Sequence, residues 1–398
     1  MDNFALLRSP QTIIYGRNSF DRTGTEASLL GKKALIISDK IMKSLGYVDR
    51  SETMLKSQGL NCSIYLGVES EPTDEYVTNA LSIFKQECCD LIVSIGGGSC
   101  IDTAKAVSIL ATNGGAISDY VGQKKVANDK PIPHIAIPTT AGTGSEATDV
   151  TIITNRVTDI KMMIKQPALM PTVAIVDPLL TVSSPQHVTA ATGVDALSHA
   201  IEAYISRKSH PMTDTLALSA MKLIANNLVS AYEDGENLDA REAMSLGSMQ
   251  AGMAFSNASV CLVHGMSRPI GALFHVPHGY SNAMLLPAVL EFSQNACIER
   301  LADVGRIIDP KLEQESDEIA ARSAVSAVKN LCMTLNIPNL QGWGINREPF
   351  DQAISKMAID ALASGSPGNN PRVPTQKEIE ELYAICYSYN FKGSAKVN

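Results

Sequence analysis

Short β-branched runs alternate with amphipathic stretches through the N-terminal part of the chain. Ala34-Leu35-Ile36-Ile37-Ser38, Ser63-Ile64-Tyr65-Leu66 and Leu91-Ile92-Val93-Ser94-Ile95 predict strands. Helices are predicted from about Lys40 to Gln58, from Asp74 to Glu87 and from Asp102 to Leu110. Residues 135–138, 151–154 and 173–177 continue the strand pattern. Apolar strands separated by helices call for a parallel sheet covered on both faces. After Pro185 the strand-like runs stop. Pro211 to Val229 and Arg241 to Phe255 carry apolar residues at helical spacing instead. The expected architecture is an α/β domain over residues 1–184 followed by an all-helical domain over residues 185–398. The boundary falls near residues 180–186.

Size and composition agree with this division. A chain of 398 residues is too long for one ordinary core. A hydrophobic fraction of 45% against 19% charged residues excludes wholesale disorder. The net charge of −8, with no basic cluster, argues against nucleic acid and anionic membrane surfaces as partners. No apolar run is long enough to span a bilayer, and the start, Met1 to Arg8, lacks a basic segment followed by an apolar one. The eight cysteines are scattered without a C-x-x-C and read as reduced, mostly buried thiols of a cytoplasmic protein.

The histidines change the picture most. The chain has only seven, and His199 lies four residues after Asp195. On a helix that spacing puts both side chains on one face. His264 and His278 close Val263-His264-Gly265-Met266 and Val276-Pro277-His278-Gly279. One carboxylate and three imidazoles form a first shell for a divalent metal. Fe(II) and Zn(II) both suit it, and affinity alone favours zinc. His134, His187 and His210 read as satisfied core histidines.

A second candidate site lies in the α/β part. Gly96-Gly97-Gly98-Ser99 follows a strand and precedes a helix, where bare backbone and free N–H groups can approach a pyrophosphate. The run is not G-x-G-x-x-G, so it is no standard dinucleotide fingerprint. Asp39 ends the first strand, where a carboxylate can accept hydrogen bonds from an adenosine ribose or cap the next helix. Pro138-Thr139-Thr140-Ala141-Gly142-Thr143-Gly144-Ser145-Glu146 is rich in hydroxyls and small residues directly after a strand. It suits a diphosphate or a nicotinamide ribose.

Taken together, these segments resemble the iron-containing (group III) alcohol dehydrogenase family. The matching pieces are G-G-G-S at 96–99, P-T-T-A-G-T-G-S-E at 138–146, A-A-T-G-V-D-A-L-S-H-A-I-E-A-Y at 190–204, A-G-M-A-F-S-N-A-S at 251–259, V-H-G-M at 263–266 and V-P-H-G at 276–279. The resemblance implies a Rossmann-like nucleotide domain, a helical domain of dehydroquinate synthase-like architecture, and a metal at the cleft between them. It implies iron held by Asp195, His199, His264 and His278. Cofactor contacts would come from Asp39, the Gly96 turn, Gly97, Gly98, Ser99, Thr139, Thr140, Thr143, Thr148, Val150, Lys161 and Leu180. Asp39, where NADP-preferring relatives tend to have Gly, points to NAD. The implied reaction is hydride transfer between NAD(H) and a small primary alcohol or aldehyde, in a homodimer or larger homo-oligomer. Two alternatives stay open: a metal- and NAD-dependent lyase or cyclase of the dehydroquinate synthase type, and a non-catalytic NAD-binding protein.

One position departs from the family pattern. Many relatives carry a second histidine four residues after the third ligand, where this chain has Arg268. Arginine does not release its proton and cannot relay one. His275 is an alternative proton carrier, with a surface or cleft-lining role as the plainer reading. Arg268 could instead pair with the anionic end of an ω-hydroxy acid or its semialdehyde, or with an acidic residue of its own chain. Ala363 to Arg372 is dense in Gly, Pro and Asn and reads as a connection between helices. Trp343, the only tryptophan, reads as packing.

Overall fold

The computed structural model describes residues 4–158 and 160–392. It forms two compact units, one from Arg8 to Ser184 and one built mainly from Pro185 onward.

The first unit holds a six-stranded parallel sheet in the order β1-β8-β5-β4-β2-β3. Its strands are β1 (Thr12–Tyr15), β2 (Lys33–Ile37), β3 (Asn61–Tyr65), β4 (Leu91–Gly96), β5 (His134–Pro138) and β8 (Val173–Val176). The helices are α1 (Thr23–Ser28), α2 (Lys40–Ser44), α3 (Tyr47–Ser57), α4 (Asp74–Gln86) and α5 (Gly98–Asn113). Side chains alternate along each strand, so Leu35, Ile37 and Ile92 enter one core while Ile36, Val93 and Ile95 enter the other. That two-sided burial explains why these strands read as continuous apolar runs.

Three details depart from the sequence expectation. The helix expected over Lys40 to Gln58 is two helices, because the chain turns at Leu45–Gly46 before α3 begins. Residues 151–154 do form a strand, β6 (Val150–Asn155), but it pairs antiparallel with β7 (Ile160–Lys165) outside the main sheet. A connection this short can join only antiparallel strands. The Asn155 side chain starts the turn by accepting from the amides of Val157 and Thr158. Edge strand β1 and strand β7 carry weak strand signals, and the hydrophobic pattern alone misses both.

The second unit is helical: α6 (Gln186–Ile205), α7 (Pro211–Glu233), α8 (Leu238–Ala258), α9 (Leu262–Phe274), α10 (His278–Ser293), α11 (Ile298–Ile308), α12 (Asp317–Thr334), α13 (Leu340–Trp343), α14 (Arg347–Ala363) and α15 (Gln376–Tyr387). Helix α6 is buried from Val194 to Ile205 on every face, as expected of a central rod. Among the described residues no helix is long and apolar enough to cross a membrane.

Candidate active site

Helix α6 presents Asp195, His199 and Glu202 along one side, at positions i, i+4 and i+7. His264 sits in the first turn of α9, and His278 is the first residue of α10. The start of α10 can lie against α6 because residue 279 is glycine. A β-carbon there would come 2.8 Å from the Ala191 carbonyl oxygen. One ligand atom from each of the four residues lies within 4.8 Å of the others. Asp195 Oδ1 is 3.5 Å from His264 Nε2 and 3.9 Å from His278 Nε2. The His199 ring stacks between Phe255 and His264, with centroids 4.2 and 4.3 Å away.

The electrostatics suit a cation. Burial alone would raise the Asp195 carboxyl, but His199, His278 and His264 together hold it well below the usual carboxylate range. The opposite happens at His264. Burial opposes its charging, yet Glu202 and Asp195 bring the imidazole up to about 9. Glu202 Oε2 lies 2.5 Å from His264 Nδ1, and Oε1 accepts the Val263 N–H at 2.7 Å. A carboxylate on Nδ1 fixes the tautomer and leaves the Nε2 lone pair for a metal. Oxygen and imidazole donors that converge in a buried setting fit a divalent ion such as iron or zinc. Glu202 escaped the sequence reading, although its place one turn beyond His199 was a signal.

The structure separates the other expected residues. Arg268 lies on α9, one turn after His264, with a largely buried side chain. Burial brings its guanidinium down to about 10, against the pull of the Glu202 carboxylate. His275 is exposed and ends α9 in a left-handed conformation (φ 54°). The Ala363–Arg372 connection is more than a surface link. Ser366, Asn369 and Asn370 are buried in it, Pro367 lies against Gly265 beside His264, and the Asn369 carbonyl accepts the Arg207 N–H. Trp343 is 36% exposed and rests on Tyr280, two residues past His278, so it covers the surface rather than filling a core.

In the α/β unit, Gly96-Gly97-Gly98 turns β4 into α5. Gly96 adopts φ +150°, and a β-carbon there would meet Cys100 Sγ at 2.6 Å. Gly97 and Gly98 face Thr140 and Thr143, so the two expected loops meet at the N-terminus of α5. A concave pocket beside them is lined by Asp39, Lys40, Ile41, Val68, Gly97 and Ser99. Asp39 takes the capping role, its Oδ1 accepting the Met42 N–H at 2.8 Å, while Oδ2 faces Cys100 Sγ at 3.8 Å. That pocket, at a glycine-rich strand-to-helix turn, has the form of a nucleotide site.

Thr148 and Val150 serve a different neighbour. Lys105 is fully buried on α5, and its Nζ donates to Ser145 Oγ, Thr148 Oγ1 and the Val150 carbonyl at 2.8–2.9 Å. Thr139 and Leu180 are buried, and Lys161 on β7 pairs with Glu71. His134 is a core histidine but only half satisfied: its Nε2 lies 2.8 Å from Ser94 Oγ, its buried Nδ1 has no hydrogen-bond partner among the described residues, and burial pushes its pKa down to about 3. His187, by contrast, is exposed and does not belong to that class.

A nucleotide-type pocket on an α/β unit and a cation-type donor set in a helical unit are the parts a metal-dependent dehydrogenase needs. Comparison with known proteins agrees. Residues 10–178 match the iron-containing alcohol dehydrogenase model, and residues 189–387 match the C-terminal model of the Fe-containing alcohol dehydrogenase family. The chain is 40% identical over 382 residues to the 1,3-propanediol dehydrogenase of Klebsiella pneumoniae, covering 95% of this chain and 97% of that one. It is 39% identical over 385 residues to the NAD-dependent methanol dehydrogenase of Bacillus methanolicus, covering 96% and 99%. The crystal structure of a 1,3-propanediol oxidoreductase superposes with a TM-score of 0.92 at 38% identity, covering 96% of this chain and all of the other. The protein belongs to the iron-containing alcohol dehydrogenase family.

Proposed function

We propose that this protein is an NAD- and iron-dependent oxidoreductase that interconverts small primary alcohols and their aldehydes. The observation that carries the reading is the convergence of Asp195, His199, His264 and His278 within 4.8 Å in a largely buried setting. Held by those four side chains, a divalent ion would supply Lewis acidity toward the alcohol oxygen. Glu202 keeps His264 oriented, with its Nε2 turned toward the other three ligand atoms. Burial of Asp195, His199 and His264 keeps water from most of the ligand set, where it would otherwise weaken the interactions. The Gly96–Ser99 turn and the threonines beside it would take the diphosphate of NAD. Asp39 would accept the ribose hydroxyls and repel a 2′-phosphate.

Arg268 is the position where substrate choice is tuned. A buried guanidinium one turn from a ligand suits a substrate with an anionic far end, such as an ω-hydroxy acid or its semialdehyde. Glu202 nearby offers the competing role of an internal countercharge. His275, exposed at the end of α9, can pass the hydroxyl proton to solvent. The relatives found at 39–40% identity are named as dehydrogenases, which favours this chemistry over a lyase of the dehydroquinate synthase type. All eight cysteines are free, which suits a reducing, cytoplasmic setting, and a dimer or larger homo-oligomer is the assembly we expect.

The test is NADH formation from a panel of alcohols by protein reconstituted separately with Fe(II) and Zn(II). Turnover of primary alcohols by the Fe(II) form is expected. Metal-loaded protein that forms no NADH from any alcohol would refute the proposal. Comparing kcat/KM for 4-hydroxybutyrate and 1-butanol, before and after Arg268→Ala, decides the arginine's role. Equal losses on both substrates would rule out carboxylate recognition.

A further inference from the structure

Asn282 stands one helical turn after His278 on α10 and is fully buried. Its Nδ2 lies 2.6 Å from Asp195 Oδ1, 3.0 Å from His264 Nε2 and 3.1 Å from His278 Nε2. Three of the four proposed ligand atoms thus share one amide nitrogen, which has two protons to give. A carboxylate oxygen has a second lone pair to spare. An imidazole nitrogen has only one, and with Glu202 on Nδ1 the Nε2 of His264 is the nitrogen left to face the amide. A lone pair that accepts an N–H cannot also bind a cation. The other end of the amide adds a second clue: Asn282 Oδ1 is buried and has no hydrogen-bond partner among the described residues. Among the described residues every hydrogen bond of this side chain goes to a ligand atom, so nothing else fixes the rotation of its amide.

We propose that Asn282 competes with the metal for the lone pairs of His264 and His278, and so sets how tightly the site takes up its cation. This rests on the metal-site reading given above. The amide keeps the buried carboxylate and imidazoles satisfied and spaced, at the cost of bonds that must be surrendered when a cation enters. A residue of this kind lowers affinity, unlike an orienting neighbour such as Glu202, whose removal lowers it.

The test uses the full-length protein, stripped of metal and titrated with Zn(II) against a chromophoric chelator. Asn282→Ala is expected to bind Zn(II) about tenfold more tightly than the wild type, the equivalent of one lost charge-assisted hydrogen bond. The rise in Tm on adding Zn(II) should be larger in the variant. Unchanged or weaker Zn(II) binding would overturn the proposal. Asn282→Ser, which is too short to reach all three ligand atoms, gives the same reading if the alanine variant does not fold. Asp195→Ala run alongside separates the two ideas. If the wild type takes up no Zn(II), or Asp195→Ala binds it equally well, the metal site itself is refuted and the competition falls with it. If those controls behave and the Asn282 variants match the wild type, only the competition is refuted.

Discussion

Two buried polar clusters, one in each unit, are built on opposite principles. In the α/β unit Lys105 spends all three of its protons on three oxygens, and Asp102 accepts from Ser145 Oγ and the Ile152 N–H. Every proton of the buried ammonium is taken up within the cluster. In the helical unit Asp195, His199, His264 and His278 turn ligand atoms toward one another, and the Asn282 amide reaches three of them. A saturated cluster fastens the chain, whereas one with surplus lone pairs awaits a cation. The contrast is a better guide to function than burial or charge, which the clusters share.

The largest effect should come from the unsaturated cluster. His199→Ala should cut Zn(II) affinity by more than about 100-fold, beyond the usual penalty for an outer-shell residue, and remove alcohol oxidation with it. Retained affinity in a chelator titration would dissolve the contrast. Lys105→Met should cost about 3 kcal/mol in urea unfolding, because it leaves Asp102 and three oxygens without their buried cation, while Zn(II) affinity stays unchanged. A change in metal binding there would mean the clusters are not independent.

A pH series sharpens the same division. Glu146 is buried beside the saturated cluster, and burial pushes its carboxyl up from 4.5 to about 7. The unfolded chain releases this proton at lower pH than the folded one, so wild-type stability declines as pH rises from about 4.5 to 7. Glu146→Gln should remove that decline, gaining up to roughly 3 kcal/mol over the wild type above pH 7 and little below pH 4.5. Parallel stability–pH curves for the two proteins would contradict it. Glu202→Gln should weaken Zn(II) binding about tenfold through a less well-held His264, with a small change in unfolding midpoint. Asp39→Gly should be mildest, costing roughly a few tenths of a kcal/mol through the lost helix cap and relaxing the preference for NAD over NADP. An unaltered coenzyme ratio would confine Asp39 to capping.

The convergent cluster was legible in the sequence because metal ligands announce themselves by residue type and helical spacing, as Asp195 and His199 do. Their supporters use the same spacing with residue types that say less. Glu202 follows His199 by three residues and Asn282 follows His278 by four, yet either could be an ordinary surface residue of an amphipathic helix. Lys105 is harder still, since a lysine inside a helical pattern implies solvent and only the fold shows it buried. Among the elements, the central strands were readable because they are buried on both faces. Strand β7, Ile160–Lys165, brackets two methionines with lysines and offers no such run. Residues 151–154 were read as a strand, but whether they join the main sheet depends on a partner the pattern did not reveal.

Helix α6 acts as a ruler for the active site. Asp195, His199 and Glu202 are spaced along one rigid, enclosed rod, so their separations are set by counting residues rather than by loop conformation. Inserting or deleting one residue between 195 and 202 would rotate everything beyond it by about 100°. The downstream groups, including the carboxylate that steadies His264, would then face into apolar packing. Evolution of new substrates in this protein is therefore confined to swapping side chains along that rod and to remodelling elsewhere, as at Arg268, because the length of the rod itself cannot drift.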